Sequence, residues 1–344
     1  MNRCLYLAKK GLGTTFPNPM VGCVIVHKDK VIGEGWHRRS GESHAEVKAI
    51  NSVVNKDLLL SSTLYVSLEP CSHHGKTPPC SDLIIEHKIP EVVIASADDF
   101  EEVNGKGIAK LKKAGINVHL GIMQREAREL NKRFFTFHQR KRPYVILKWA
   151  QTADGFIATM NQRTGEALKI SDMFSHQIAH KWRAEEQAIL VGKNTALKDK
   201  PSLTTRKWKG SSPIKLIIDP NLDIPENDKL FKDNGTSLVF ADKRSSKVRD
   251  TANVYYIDLE RNIIPQIMEV CHNKNIQSIL VEGGAETHQS FIDDGTWDEA
   301  RIFTSDKLLH EGIRSAEKKG KMLYSKQLHQ DRLEIFQNDQ NPII

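Results

Sequence analysis

Apolar and polar positions along this chain fall into two rhythms, a strand-like one and a helix-like one, that take turns. The run Val21 to Val26 is apolar, Lys28-Asp29-Lys30 interrupts it, and Val31-Ile32 resumes it, which predicts a β-hairpin. His44 opens a stretch in which Ala45, Val47, Ala49 and Ile50 are available to pack, so a helix is expected there. Leu64 to Leu68 reads as a strand, and Ser81 reads as the N-cap of a helix running to His87. Val92 to Ala95 is a short buried strand, Gly107 to Ala114 a helix closed by Gly115, and Val118 to Leu120 another strand. Glu126 to His138 reads as one continuous helix.

Gln139-Arg140-Lys141-Arg142-Pro143 breaks the alternation with charge and a proline, so the domain boundary is expected there, giving domains 1–141 and 142–344. The pattern then restarts with a strand from Tyr144 to Ala150 and a helix from Ser171 to Arg183, with Ser171-Asp172 as its start signal. Further strands are expected at Ala188–Val191, Lys215–Asp219, Ser237–Ala241, Val254–Ile257 and Ser278–Glu282. Helices are expected at Ile263–Lys274 and Glu286–Asp293. Strands alternating with helices in both halves predict two α/β domains, the first a sandwich.

Composition changes this picture little. A length of 344 residues suits two domains. No apolar run reaches the length of a membrane span, and Met1 to Leu5 reads as a helix start, not a signal peptide. The net charge of +7 favours anionic partners: nucleic acid, or a phosphorylated metabolite with a dinucleotide. No basic stretch is interleaved with aromatics, which argues against a nucleic-acid groove. Cys4, Cys23 and Cys271 show no paired spacing and read as buried thiols of a reducing cytoplasm.

The chemistry is concentrated in His44-Ala45-Glu46, followed by Pro70-Cys71 and by Cys80. One imidazole and two thiols are suited to three of the four tetrahedral positions of zinc, leaving one for water. Zinc deaminases use such a set, with a Glu that is not a ligand moving the protons, and Glu46 fits that role. A structural zinc site would take a fourth ligand, and His73 or His74 offers one. In the second half, Val281-Glu282-Gly283-Gly284-Ala285-Glu286 ends a strand and opens a helix, so its backbone can approach a pyrophosphate. Arg183 and Arg206 are reasonable clamps for a phosphate.

The segment Pro70 to Cys80, with its basic, proline-closed loop, His44-Ala45-Glu46 and Pro17-Asn18-Pro19-Met20-Val21-Gly22 together closely resemble the bifunctional pyrimidine deaminase–reductase family of riboflavin biosynthesis. Lys148 to Gly155, Ala188 to Thr195 and Asp199 to Arg206 resemble elements of that family's reductase domain. The resemblance implies a cytidine-deaminase-like α/β/α sandwich followed by a dihydrofolate-reductase-like α/β domain, with Zn2+ and NADPH as cofactors. It implies deamination of a 2,5-diamino-6-(5-phosphoribosylamino)pyrimidinone, then reduction of its ribosyl group to ribityl. Asn18, His37, His73, Lys76 and Asp98 are the expected deaminase substrate residues. Ala167, Arg183, Leu203, Arg206 and Glu282 are the expected reductase substrate residues. Ala150, Lys169, Thr195, Asp199, Gly283, Gly284, Ala285 and Glu286 are expected at the cofactor. Lys243, Arg244 and Ser245 are candidates for its 2′-phosphate. A cytoplasmic homo-oligomer that engages neither nucleic acid nor membrane is expected.

The chain departs from the family at Asp98-Asp99-Phe100-Glu101, where Asp-Pro-Asn-Pro is usual, and at Phe156, Ala167, Lys169 and Lys200. Two other readings therefore stand beside the first. One is a tRNA or nucleobase deaminase whose second domain is a non-catalytic RNA platform. The other is a deaminase joined to an interaction domain.

Overall fold

The computed structural model describes residues 1–72, 78–99, 104–160, 164–165, 168–232, 236–247 and 253–342. His73, His74, Lys76, Phe100 and Ala167 lie outside the described residues. The chain divides into two compact units, Met1–Arg140 and Lys141–Pro342.

The first unit begins with α1 (Asn2–Lys9), the hairpin β1 (Gly22–His27) and β2 (Lys30–Trp36), α2 (Ala45–Ser52) and β3 (Thr63–Val66). It continues with α3 (Cys80–Glu86), β4 (Glu91–Ile94), α4 (Lys106–Lys113), β5 (Asn117–Leu120), α5 (Gln124–Leu130) and α6 (Lys132–Arg140). The sheet order is β2-β1-β3-β4-β5. β1 runs antiparallel to β2 and β3, while β3, β4 and β5 are parallel. Alternate residues of each strand point to opposite faces, so the sheet presents two apolar surfaces. Ile25, Leu64, Val66, Val92 and Ile94 meet Ala49 and Ile50 of α2, Ile84 of α3 and Leu111 of α4. Val24, on the other face, meets Cys4 and Leu7 of α1. Each such aliphatic side chain contributes about 1.5–3 kcal/mol on burial. Gly22 lets α1 lie directly on β1, since a Cβ there would stand 2.1 Å from the Cys4 carbonyl oxygen.

Two local expectations are corrected here. The expected helix Glu126–His138 is two helices, broken at Asn131. Asn131 Oδ1 accepts from Met20 N at 2.8 Å and its Nδ2 donates to Met20 O at 2.9 Å, and this tertiary bond pair stands where the single helix would have been continuous. The helix expected from an N-cap at Ser81 begins instead at Cys80, with Pro79 as N-cap. Ser81 is thus inside the first turn, and its buried hydroxyl finds no partner among the described residues.

The second unit opens with β6 (Tyr144–Gln151), β7 (Phe156–Ala158), α7 (Met173–Glu185), β8 (Ala188–Gly192), α8 (Lys193–Asp199) and β9 (Ile214–Ile218). Next come α9 (Lys229–Lys232), β10 (Ser237–Asp242), β11 (Asn253–Ile257), α10 (Ile263–Asn273), β12 (Ser278–Val281) and α11 (Ala285–Asp294). It closes with β13 (Glu299–Thr304), β14 (Ile313–Arg314), β15 (Lys321–Leu328) and β16 (Asp331–Gln337). The sheet order is β11-β10-β9-β8-β12-β6-β13-β16-β15. It is parallel from β11 to β13, and β16 and β15 are added antiparallel. Val145, Leu147 and Trp149 of β6 share a core with α10 and α11, and Tyr144 and Ile146 face Trp182 of α7. This arrangement sets the carboxyl ends of β8, β12 and β6 side by side.

Candidate functional site

His44 is the N-cap of α2, which places Glu46 in the first turn of that helix. Cys71 lies just beyond β3, and Cys80 is the first residue of α3. The fold brings these separate element ends together. Cys71 Sγ is 3.6 Å and Cys80 Sγ 3.3 Å from His44 Nδ1, and the three ligand atoms lie within 4.8 Å of one another. Zinc–nitrogen and zinc–sulfur bonds at a tetrahedral angle put the donors about 3.5 Å apart, so the set fits the metal. Hydrogen bonding from the Cys80 thiol above all lowers the pKa of Cys71, and the same bond raises that of Cys80, so one thiolate is favoured in the pair. Glu46 is buried, 3% exposed, and burial foremost pushes its carboxyl up to about 7.

Asn18 and His37 close one side of this centre. Asn18 Nδ2 lies 3.1 Å from His37 Nε2, and the His37 ring stands edge-on to His44 at 5.4 Å. With Asn18 donating, His37 carries its proton on Nδ1, 3.4 Å from the Ser43 carbonyl. Burial foremost lowers the pKa of His37. Asp98, 6% exposed, follows β4, the strand next to the one that leads to Cys71.

In the second unit, the register that pairs Val281 with Leu147 sets Glu282 beside Lys148. Lys148 Nζ lies 3.4 Å from Glu282 Oε2. Arg183 of α7 binds the same carboxylate twice, Nε to Oε1 and Nη2 to Oε2, each at 2.8 Å. Burial raises the pKa of Glu282, but Arg183 and Lys148 overcome it and hold the carboxyl well below its usual range. Arg183 Nη1 also donates to the Thr204 carbonyl, and Arg206 Nη1 to Thr204 Oγ1. The Arg206 N–H donates to His180 Nδ1 at 3.1 Å. Arg183, Arg206 and Glu282 are therefore one cluster, next to the buried Leu203.

A second feature adjoins it. Gly192 and Gly284 are the N-caps of α8 and α11, and neither helix start has a side-chain cap. Because β8 and β12 are paired, the two starts are neighbours. A Cβ on Gly192 would stand 2.6 Å from Thr287 Oγ1, one on Gly283 would stand 2.9 Å from Thr287 Cβ, and one on Gly284 would meet Thr195 Oγ1 alone, at 3.3 Å. Thr195, Gly283 and Gly284 are thus brought together, with Ala285 and Glu286 in the first turn of α11. Such uncapped amides beside side-chain-free backbone suit a dinucleotide pyrophosphate. Asp199 ends α8 and Ala150 is near the end of β6, while the Lys169 carbonyl accepts from Lys307 Nζ. Lys243 pairs with Asp258, and Arg244 with Asp242 and Glu260, so the two cationic candidates among the three for the 2′-phosphate already hold carboxylates.

The sequence reading did not single out Lys148, His180 or Thr287, which the fold brings to these groups. Lys148 was visible only as part of a strand motif, and His180 and Thr287 meet Arg206 and Gly192, which are far away in sequence.

Comparison with known proteins agrees with this geometry. Residues 1–96 match the cytidine and deoxycytidylate deaminase zinc-binding region, and residues 143–338 match the RibD C-terminal domain. The riboflavin biosynthesis protein RibD of Aquifex aeolicus is 40% identical over 317 residues, 91% of this chain and 88% of that protein. Its counterpart from Escherichia coli is 34% identical over 91% of this chain and 89% of its own length. The crystal structure of a diaminohydroxyphosphoribosylaminopyrimidine deaminase/5-amino-6-(5-phosphoribosylamino)uracil reductase from Thermotoga maritima superposes with a TM-score of 0.89 at 35% identity, covering 98% of this chain and 97% of that one. RibD of Acinetobacter baumannii gives 0.87 at 31% identity, with the same coverage. A deaminase region and a reductase region lie in one chain, in the same order and over nearly its whole length, and the chain therefore belongs to the RibD family of bifunctional riboflavin biosynthesis deaminase–reductases.

Proposed function

We propose that the first unit hydrolyses the 2-amino group of 2,5-diamino-6-(5-phosphoribosylamino)pyrimidin-4(3H)-one and that the second reduces the ribosyl group of the product to ribityl. One observation carries the reading: a zinc-compatible His44, Cys71 and Cys80 set beside buried Glu46 shares a chain with an Arg183–Glu282–Lys148 cluster next to the Gly283-Gly284 turn. The match of residues 143–338 to a reductase-family domain disfavours an RNA platform or a bare interaction domain.

When bound, zinc supplies a Lewis acid that acidifies water near neutral pH. Glu46 would take one proton from the attacking water and give it to the ring nitrogen, then carry the second, from the newly added hydroxyl, to the amino group as it leaves as ammonia. Asn18 and His37 hold the pyrimidine edge, and Asp98 reads a further polar group of the substrate. His73 and Lys76, outside the described residues, are assigned to the phosphate side. In the second unit NADPH supplies the hydride when bound. Lys148, kept in place by Glu282, donates a proton to the ribosyl ring oxygen as the sugar opens. Arg206 holds the substrate phosphate, and Arg183 keeps Glu282 ionised beside it. Thr195 and the turn Gly283-Gly284-Ala285-Glu286 seat the cofactor.

The protein is assigned to a reducing cytoplasm, supported by the buried thiols Cys4, Cys23 and Cys271 outside the ligand set, and to action on small molecules without nucleic acid. Among the described residues no helix is long and apolar enough to cross a membrane. A homo-oligomer is supported by β15, an edge strand on which Met322, Leu323 and Tyr324 are exposed. The test is a single incubation with the diaminopyrimidine phosphate and NADPH. Ammonia release followed by NADPH oxidation is expected. Ammonia release with no NADPH consumed, even from the deaminated substrate, overturns the reductase half.

A further inference from the structure

Glu69 stands two residues before Cys71 and is 4% exposed, yet the deaminase chemistry above leaves it unused. Its carboxylate accepts three backbone N–H groups from a separate part of the chain. Oε2 accepts from Asp98 N at 3.2 Å and from Gly105 N at 3.0 Å, and Oε1 accepts from Ile108 N at 3.1 Å. Gly105 is the N-cap of α4 and Ile108 lies in its first turn, so one carboxylate ties down both the segment after β4 and the helix that follows. Its backbone is fixed as well, since Glu69 N donates to the Ser96 carbonyl at 3.0 Å. An independent contact presses the same two segments together: a Cβ on Gly107 would stand 2.1 Å from the Pro70 carbonyl oxygen. Asp99, next in the segment, is gripped by Arg128 Nη2 at 2.6 Å and by Gln139 Nε2.

We propose that Glu69 is a positioning residue of the deaminase: it locks the segment bearing Asp98 to the strand end bearing Cys71, and so sets where Asp98 meets the substrate. The inference rests on the reading that Asp98 contacts substrate. Carboxylate is the group the site needs, because all three partners are donors and an ionised carboxylate is an acceptor only. A glutamine of the same shape turns an amide NH2 toward those donors, and the segment must shift.

The experiment is steady-state deamination by the full chain carrying Glu69→Gln, Asp98→Asn, or both, with zinc content and reductase turnover measured on the same preparations. Glu69→Gln is expected to raise the deaminase KM by about tenfold, the loss of one to two charge-assisted hydrogen bonds, with a smaller fall in kcat. Zinc content and reductase turnover stay at the wild-type level. Because Glu69 acts through Asp98, the double variant is no worse than Asp98→Asn alone. If Glu69→Gln gives no soluble protein, Glu69→Asp, which keeps the charge one methylene further back, carries the same comparison and lies between wild type and Asp98→Asn. An unchanged KM, loss of zinc, or losses that multiply in the double variant overturn the inference. If Asp98→Asn leaves KM unchanged, the assignment of Asp98 to substrate fails first; a raised KM in Glu69→Gln then shows an action by another route and overturns the inference as well.

Discussion

Cys80 and Glu46 reach the same centre from different elements, so substitution separates their tasks. Cys80 opens α3 and offers a thiolate, while Glu46 in the first turn of α2 offers an acid–base group beside the ligands. Cys80→Ala is expected to lose tight zinc binding, because two donors remain where three are needed. Metal analysis after dialysis against a mild chelator checks this, and full occupancy counts against the ligand set. Glu46→Gln is expected to keep zinc and to lose deamination by on the order of 10²–10⁴-fold, the usual worth of a positioned acid–base group. Reductase turnover on pre-deaminated substrate should be unaffected in the same preparation. Deamination near the wild-type rate in this variant removes Glu46 from the proton path.

The start of α11 connects backbone conformation to cofactor binding. Gly284 has an extended ψ of 178° that any residue adopts, and a Cβ there would touch only Thr195 Oγ1. Gly284→Ala is therefore expected to leave the unfolding midpoint in urea nearly unchanged while raising the KM for NADPH severalfold, since the methyl fills the space over the uncapped amides. Equal KM values for the variant and the parent place the pyrophosphate elsewhere. One turn further along the same helix, His288 is 1% exposed, its Nε2 is 3.1 Å from the Val281 carbonyl and its ring is 5.2 Å from that of Trp149. Burial foremost lowers its pKa from 6.5 to about 4, with Lys148 lowering it further and Glu282 opposing. The unfolded chain thus takes a proton that the folded chain refuses between pH 6.5 and about 4. Stability conferred by the neutral ring is present above that window and falls as the pH drops through it, by up to roughly 1.4 kcal/mol per pH unit. His288→Gln should flatten this slope relative to the parent in urea unfolding at a series of pH values, and parallel slopes argue against a neutral buried imidazole.

At the scale of the whole molecule, each unit has its own sheet and its own apolar clusters, so each contains what a folded domain needs. Residues 1–140 expressed alone are expected to bind zinc and deaminate, and residues 141–344 alone to reduce the deaminated substrate with NADPH. Soluble, folded pieces lacking these activities tie each reaction to the presence of the other unit. Much of this architecture was legible in the residue pattern. The hairpin around Lys28-Asp29-Lys30, the helix opened by His44 and the strand–turn–helix at Val281 to Glu286 are local signals, and local periodicity reports them because neighbours in sequence share one environment. The sequence also determined the chemistry of the first unit, since a His, two Cys and a nearby Glu have few other uses together. Other features had no local signal. β13 carries Glu299 and Arg301 in a buried strand, where Arg301 Nε meets Glu299 at 2.6 Å and the guanidinium lies over Trp182 at 4.8 Å, so its charge disguised its burial. β15 is exposed along nearly its full length, so its apolar residues Met322, Leu323 and Tyr324 mark no buried face. The break at Asn131 depends on Met20, and the Glu69 clamp on Asp98, Gly105 and Ile108. The Lys148–Glu282–Arg183 cluster arises because the sheet places β12 between β8 and β6, although β12 follows both in sequence. Sequence by itself determined which groups are available and where helices and strands begin. Tertiary structure decided which of those groups meet, because strand order and register, and not separation along the chain, set the distances at which charge and hydrogen bonding act.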